Sequence, residues 1–445
     1  GTARALHAAA PEKLTELDHY VAEHADGLKV IDRRIVPLEG DNAGMKVHLL
    51  RIRSQQWRDS DEVDHPEWTH LLTIVEPKLI RNHTGFLWID GGTRPDRLSV
   101  SGGPYVAMLL MARQTGSVAA TVTNIPNQPL EFRNDGEDRF EDNIIGYSWD
   151  QSFKTKDPDW VVQLPMVNSA VRAMDAVQQE IGKDGKDEYR VHDFVVSGAS
   201  KRGWTTWLTA AVDPRVCAIM PVVIDILNMN ESLRHHEEVY GGYAPALHDY
   251  VRHGVTERRD MPEMEQLRQL VDPLVYSDRL SMPKYIVNAS GDQFFLPDSS
   301  QYYIDQLQGE SLLRYVPNAD HSLSGSDALE QISMYYGMIL GDIDRPKYSW
   351  KSEGEGMLRV SSETPVAKAV LWQATNPSAR DFRKQTIGNA YQSTELNPNG
   401  DGDYEVRVDR PASGWKAYYV ELWYDTPYGD MKFKTSTPIY VIGKE

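Results

Sequence analysis

Ser200, Asp292 and His321 are the residues whose types and order in this chain suit nucleophilic chemistry. Ser200 lies in Val195-Val196-Ser197-Gly198-Ala199-Ser200-Lys201-Arg202-Gly203-Trp204, an apolar run that passes through small residues into a helix-forming stretch. That is the sequence form of a tight strand-to-helix turn that lifts a serine hydroxyl above the end of a sheet. Small residues are needed because the turn crowds the backbone and strains the serine. The usual pattern is Gly-x-Ser-x-Gly; here Arg202 stands in the second glycine's place and Gly203 follows one residue late. Asp292 follows the strand-like run 283–289 in the turn Ser290-Gly291-Asp292, and His321 follows the run 312–317 in Asn318-Ala319-Asp320-His321. In a triad of this kind the serine attacks a carbonyl and the histidine carries its proton. The acid fixes the imidazole tautomer. The order serine, acid, histidine differs from the chymotrypsin and subtilisin orders. Asp225, after the preceding strand, is the alternative acid. Asp292 is preferred because a Gly-Asp turn after a strand is the commoner arrangement.

Elements must bring these residues to one end of a sheet. Residues 85–93, Gly-Phe-Leu-Trp-Ile-Asp-Gly-Gly-Thr, read as a strand ending in paired glycines. The amides of Lys201 and Gly92 are therefore the expected oxyanion donors. Residues 105–114 read as a helix, 116–123 as a strand and 160–181 as a long helix leading to the serine strand. This β-α alternation predicts a mainly parallel sheet covered on both faces. Early runs at 45–54 and 68–75 predict an antiparallel edge. Residues 124–160 read as irregular, with a charged cluster over 131–142, and long irregular stretches in compact domains are often functional. Residues from about 225 to 280 read as a cap insertion. Its His235-His236-Glu237-Glu238 run lacks the one-turn ligand spacing and converging partner of a zinc site, so no metal is expected. Arg345-Pro346-Lys347 reads as a linker. Short strand runs separated by turns after it predict an immunoglobulin-like β-sandwich. The expected domains are 1–345 and 346–445, with the second module more readily a stabilising appendage than a binding domain.

The string Val196 to Trp207, with Ala210-Ala211-Val212-Asp213-Pro214-Arg215-Val216, Ile224 to Met229 and Gly291-Asp292-Gln293-Phe294-Phe295, resembles the PhoPQ-activated pathogenicity-related proteins, a group of α/β-hydrolases. The resemblance implies an α/β-hydrolase fold and a secreted or periplasmic serine-hydrolase-like protein, and it implies no particular substrate. The elbow is also similar to that of the glucuronoyl esterases, which carry a basic residue after the serine, as Lys201 does here.

The expected activity is hydrolysis of a carboxylic ester, without metal or organic cofactor, on a small-molecule or carbohydrate-linked substrate. Arg202, Trp149 and Trp204 are the expected substrate contacts, with Trp160 as a further sugar platform. At least one of Lys201 and Arg202 is expected to face the pocket, because two cations at a helix N-terminus are otherwise unfavourable. A dipeptidyl-type peptidase would use Glu231, Glu237 and Glu238 for a free amine. A non-catalytic signalling or binding protein on a hydrolase scaffold is the third reading. The formal net charge of −18 argues against a nucleic-acid partner. No apolar run reaches the roughly 20 residues that span a bilayer. The single cysteine, Cys217, forms no internal disulfide and reads as a small core residue. The chain opens Gly1-Thr2-Ala3, which gives the expectation that an export signal has been removed. The oligomeric state is left open.

Overall fold

The computed structural model describes residues 13–100, 103–183, 185–186 and 190–444. The Gly1-Thr2-Ala3 start lies outside them. The chain packs as two units: the chain up to Val222 together with His248–Pro283, and Val223–Leu247 together with the chain from Lys284 onward.

In the first unit, α1 (Glu16–Glu23) precedes an antiparallel meander of β1 (Lys29–Pro37), β2 (Lys46–Gln56) and β3 (Glu67–Glu76). The meander continues into β4 (Thr84–Ile89), β5 (Ala119–Val122), β6 (Asp193–Ala199) and β7 (Val216–Val222), in the spatial order β1-β2-β3-β5-β4-β6-β7. β5 is antiparallel to β3 and parallel to β4, while β4, β6 and β7 are parallel neighbours. Strands covered on both faces can be apolar throughout, and Val195, Val196, Ile219 and Met220 are fully buried. The covering and crossover helices are α2 (Gly103–Thr115), α3 (Glu141–Thr155), α4 (Gln163–Ile181) and α5 (Lys201–Val212).

α3 corrects the irregular reading of residues 124–160. Ile145, Trp149 and Phe153 recur one turn apart and are buried, so they form an apolar helix face. The charged cluster before them hid that period. The insertion expected over about 225–280 is largely helical, comprising α6 (Met229–Tyr240), α7 (His248–Arg252) and α8 (Pro262–Val271). It is divided between the units, with α6 in the second and α7 and α8 in the first. Among the described residues no helix is long and apolar enough to cross a membrane.

In the second unit, β8 (Lys284–Ala289) and β9 (Ser311–Val316) run parallel, and α9 (Ala328–Leu340) follows. β10 (Tyr348–Gly354) begins just past Arg345-Pro346-Lys347. After it come β11 (Met357–Ser362), β12 (Lys368–Asn376), α10 (Lys384–Ile387), β13 (Gln392–Leu396), β14 (Tyr404–Arg407), β15 (Trp415–Asp425), β16 (Lys432–Ser436) and β17 (Tyr440–Gly443). These strands form a β-sandwich of two antiparallel sheets, β10-β11-β14 and β13-β12-β15-β16, with β17 beside β15. Leu358, Val360 and Val406 of one sheet pack against Leu371, Val420 and Leu422 of the other.

The opposite face of the larger sheet is covered by β9 and α9. Tyr419 donates its hydroxyl to the Tyr315 carbonyl at 3.2 Å, and the Tyr315 amide donates to Ser436 Oγ at 2.9 Å. Arg314, almost fully buried, pairs with Asp327 at 2.8 Å and lies 3.5 Å from Glu421. Gln331 of α9 uses its side-chain amide as a strand would. Its Nε2 donates to the Lys432 carbonyl and its Oε1 accepts from the Lys434 amide, both at 2.8 Å. Replacing this fully buried residue, Gln331→Leu, keeps the bulk but leaves two backbone groups of β16 unpaired. The expected loss of stability is about 2–3 kcal/mol by urea unfolding; an unchanged midpoint contradicts this role.

Candidate active site

The first unit builds a strained strand-to-helix turn at Ser200, the form expected of an elbow. β6 ends at Ala199 and α5 starts at Lys201, with Ser200 between them at φ 57°, ψ −122°. A non-glycine residue there costs about 1–3 kcal/mol and persists only where its surroundings impose it. The Ser200 amide donates to the Val222 carbonyl at 2.8 Å, and the Ser200 carbonyl accepts from the Trp204 amide at 2.9 Å. Gly198 is required, since a Cβ there would lie 2.7 Å from the Arg202 carbonyl oxygen. The elbow thus tolerates Arg202 in place of the usual second glycine because the close approach is made at Gly198.

Both cations after the serine are met by carboxylates at the start of α3. Lys201 is almost buried. Its Nζ donates to Asp142 Oδ2 at 2.8 Å, and lies 3.7 Å from Glu141 Oε2 and 3.5 Å from Ser200 Oγ. Arg202 pairs with Glu141 Oε2. Burial works to raise the Glu141 carboxyl, but the Arg202 and Lys201 charges outweigh it and hold the group below its ordinary value. The unfavourable placement of two cations at the N-terminus of α5 is offset in this way. Tyr250 donates to the other oxygen of Asp142 at 2.7 Å.

The same carboxylate pair is tied to the glycine turn after β4. Gln128 donates from Nε2 to the Gly92 carbonyl at 2.8 Å and accepts at Oε1 from the Glu141 amide at 2.9 Å. The Gly91 carbonyl accepts from the Asn124 amide at 2.6 Å. The Arg202 guanidinium packs where a Gly91 side chain would be, with Nη2 3.0 Å from that Cβ position, and Gly92 holds φ 104°. Both glycines are therefore needed, one for close approach and one for its conformation. Gln128, Glu141, Asp142 and Tyr250 were not singled out in the sequence. Glu141 and Asp142 close the charged cluster, whose place inside an apparently long loop was the only signal.

The expected aromatic platforms are not available as platforms. Trp149 is 2% and Trp204 4% exposed, and their rings meet edge-on at 5.6 Å. Trp149 donates to Gln163 Oε1 and Trp204 to the Val271 carbonyl, so both indoles are satisfied inside the core. Trp160 is fully buried as well. A sugar needs an open ring face, and tryptophan spacing alone does not tell an open face from a covered one. Arg202, the third expected contact, is held by Glu141.

The second unit supplies an acid–histidine pair. His321 Nδ1 lies 2.8 Å from Asp292 Oδ2. Asp292 is almost buried, and its Oδ1 accepts from the amides of Phe294 at 2.7 Å and Phe295 at 3.4 Å. The His321 amide donates to Gln293 Oε1 at 2.9 Å, and the Phe294 ring lies 4.4 Å from the imidazole. A neutral imidazole that donates from Nδ1 carries its lone pair on Nε2, the form a general base needs.

The turns bearing these two residues are locked together and to the β-sandwich. The Gly291 amide donates to the Ala319 carbonyl at 2.9 Å, and the Gly291 carbonyl accepts from the Lys384 amide at 3.0 Å. A Cβ at Gly291 would lie 2.8 Å from that amide nitrogen. Asn318 donates to the Tyr391 carbonyl and accepts from the Tyr391 amide, both at 3.0 Å. The excursion between β12 and β13 thus holds both turns.

Asp225 is not on the imidazole. Its two oxygens accept from Tyr303 at 2.6 Å and Tyr315 at 2.5 Å, and it is almost fully buried. His235 meets Asp298 at 3.0 Å, with Arg380 on the same carboxylate at 2.7 Å, and His236 accepts from the Ala244 amide. Among the described residues no group of three or more His, Cys, Asp or Glu side chains could hold a metal ion.

Burial pushes the Asp225 carboxyl up from 3.8 to about 7, although both tyrosines work the other way. Below 3.8 the group is protonated folded and unfolded alike. Between there and about 7 unfolding releases its proton, so this group's contribution to stability falls as pH rises, and levels off above about 7. Thermal unfolding of wild type and Asp225→Asn across that range should therefore show wild type losing stability relative to the variant as pH rises. A difference that does not vary with pH contradicts it.

Comparison with known proteins agrees with this architecture. The chain is 36% identical over 433 residues to autocrine proliferation repressor protein A of Dictyostelium discoideum, covering 92% of this chain and 86% of that protein. Among solved structures, an acetyl xylan esterase from Paenibacillus sp. R4 is similar at TM-score 0.50 and 14% identity, covering 75% of this chain and 97% of the other. Acetyl xylan esterase 1 from Thermoanaerobacterium sp. JW/SL YS485 is similar at TM-score 0.47 and 16% identity, covering 75% and 95%. At such identity the first likeness shows the fold alone, that of the α/β-hydrolases. The model of the family described as PhoPQ-activated pathogenicity-related protein matches residues 18–383, and the chain belongs to that family.

Proposed function

We propose that this protein is a serine hydrolase of carboxylic esters, with Ser200, His321 and Asp292 as its triad. The observation that carries the proposal is the Asp292–His321 pair at 2.8 Å, set in turns after β8 and β9, in a chain that also builds a strained serine elbow. Strain at a serine and a buried acid on an imidazole are each unneeded for folding, and both fit one reaction.

Ser200 Oγ attacks the ester carbonyl carbon while His321 Nε2 takes its proton. The C–O π pair moves onto oxygen, and the amides of Lys201 and the Gly92 turn are the proposed donors to that oxyanion. Collapse expels the alcohol, which leaves with the proton from His321. Water then attacks the acyl-serine as His321 takes its proton, and collapse breaks the acyl–Oγ bond, releasing the carboxylic acid and returning that proton to Ser200. Asp292 keeps Nδ1 protonated and stabilises the imidazolium.

The pairing of both elbow cations changes the expected substrate. Lys201 and Arg202 are held by Asp142 and Glu141, which favours a neutral ester over a uronate. Acetyl esters of carbohydrates are the first class to try, since a fold neighbour is named an acetyl xylan esterase. The peptidase reading loses support, because Glu231 pairs with Arg234 at 2.6 Å and Glu237 accepts from Tyr243 at 3.3 Å. One observation favours a second reading, a non-catalytic signalling protein: the curated relative is named a proliferation repressor.

A fluorophosphonate followed by peptide mapping separates the two readings. Under the proposal it modifies Ser200. Ser200→Ala then loses both labelling and p-nitrophenyl acetate turnover, with unchanged circular dichroism. Absence of labelling in wild type supports the signalling reading, and labelling that persists in Ser200→Ala removes Ser200 as nucleophile.

A further inference from the structure

β1 is the end strand of its sheet, pairing with β2 alone among the described residues. Eight of its nine residues are exposed, Val36 being the exception, so neither face is covered by the described residues. Val30, Ile31 and Ile35 are 46%, 48% and 41% exposed. At nine residues β1 exceeds the common strand length of about 5–6. A long edge with β-branched side chains is a template for another strand unless something blocks it. Its one proline, Pro37, is its last residue. Its one bulge lies between Val30 and Asp32, and the ladder to β2 is regular from Asp32 to Pro37.

The sequence of β1 is complementary to itself when reversed. With Lys29-Val30-Ile31-Asp32-Arg33-Arg34-Ile35-Val36-Pro37 laid antiparallel on a second copy about Arg33, Asp32 opposes Arg34 within the regular part of the strand, while the pairs Ile31 with Ile35 and Val30 with Val36 lie at and beyond the bulge. Each pair occurs twice by symmetry, and like-with-like apolar and opposite-charge pairs are those that stabilise antiparallel neighbours. A shift of one residue in either direction weakens the match: one shift opposes Arg33 to Arg34 and Asp32 to Ile35, and the other keeps Asp32 opposite Arg33 and Val30 opposite Ile35 but opposes Ile31 to Arg34 and Val36 to Lys29. In the matching register the only like charges that meet are the two copies of Arg33. Each is already neutralised by Glu180, at 2.8 Å from Nε and 2.7 Å from Nη2. Asp32 and Arg34 have no ion-pair partner among the described residues. β1 carries Lys29, Arg33 and Arg34 against Asp32 in a chain of net charge −18, so two copies meet here without acid facing acid.

We propose that β1 is a homodimerisation edge, through which two copies pair antiparallel across a two-fold axis at Arg33 and join their sheets. The proposal is independent of the catalytic reading. Sedimentation equilibrium on the full chain tests it through a charge swap. Wild type associates to a dimer. Asp32→Arg sets Arg against Arg at both symmetric positions and weakens association about tenfold or more. Asp32→Arg combined with Arg34→Asp restores it, with circular dichroism showing all three proteins folded. A wild type that stays monomeric overturns the proposal, including one whose β1 amides exchange slowly with deuterium because the chain covers its own edge. So does a dimer indifferent to Asp32→Arg, or one that the second substitution fails to restore.

Discussion

The backbone of Ser200 is the constraint around which the first unit is arranged. At φ 57°, ψ −122° it occupies a conformation that an isolated chain avoids, so neighbouring elements must enforce it. β7 takes its amide, the first turn of α5 takes its carbonyl, and Gly198 lets the two arms of the turn close. The turn then obliges α5 to begin with two cations at the wrong end of its dipole. That cost draws in Glu141 and Asp142, and through Gln128 it fixes the Gly91-Gly92 turn as well. A stretch that looks like loose connection in the sequence is therefore the bracket of the elbow.

The second unit solves a different problem. A histidine and an aspartate on separate turns keep a 2.8 Å bond only if both turns are fixed. Hydrogen bonds from a distant part of the chain help to fix them. Lys384 and Tyr391, in the excursion of the β-sandwich, hold Gly291 and Asn318. The sandwich packs its larger sheet on β9 and α9, which anchors that excursion to the strands it serves. The β-sandwich is thus hydrogen-bonded to both turns that carry the acid–histidine pair.

How much of this was legible in the sequence depends on distance along the chain. The elbow string is local, and its small residues speak for themselves. Asp292 and His321 stood out because each follows a β run, and their side chains lie 2.8 Å apart. Most of the parallel strands and their helices were legible from apolar runs and helical periods. α3 was not, because charges crowd its start. The partners of Lys201 and Arg202 lie 59 and 61 residues away, and no local pattern announces such pairs. Trp149 and Trp204 looked like open platforms because a sequence shows a ring's type and hides its cover. β1 escaped notice because its apolar and charged residues follow neither period.

The central claim is that Ser200 and Asp292, built on different units, act in one reaction. A double-mutant cycle on ester turnover measures that coupling directly. Residues that work as a unit are grossly non-additive, since removing one leaves the other nothing to assist. The account predicts that Asp292→Asn lowers kcat by roughly 10⁴-fold in the wild-type background and has no further effect in Ser200→Ala. The same fold-loss from Asp292→Asn in both backgrounds would contradict it, because the two residues would then contribute independently.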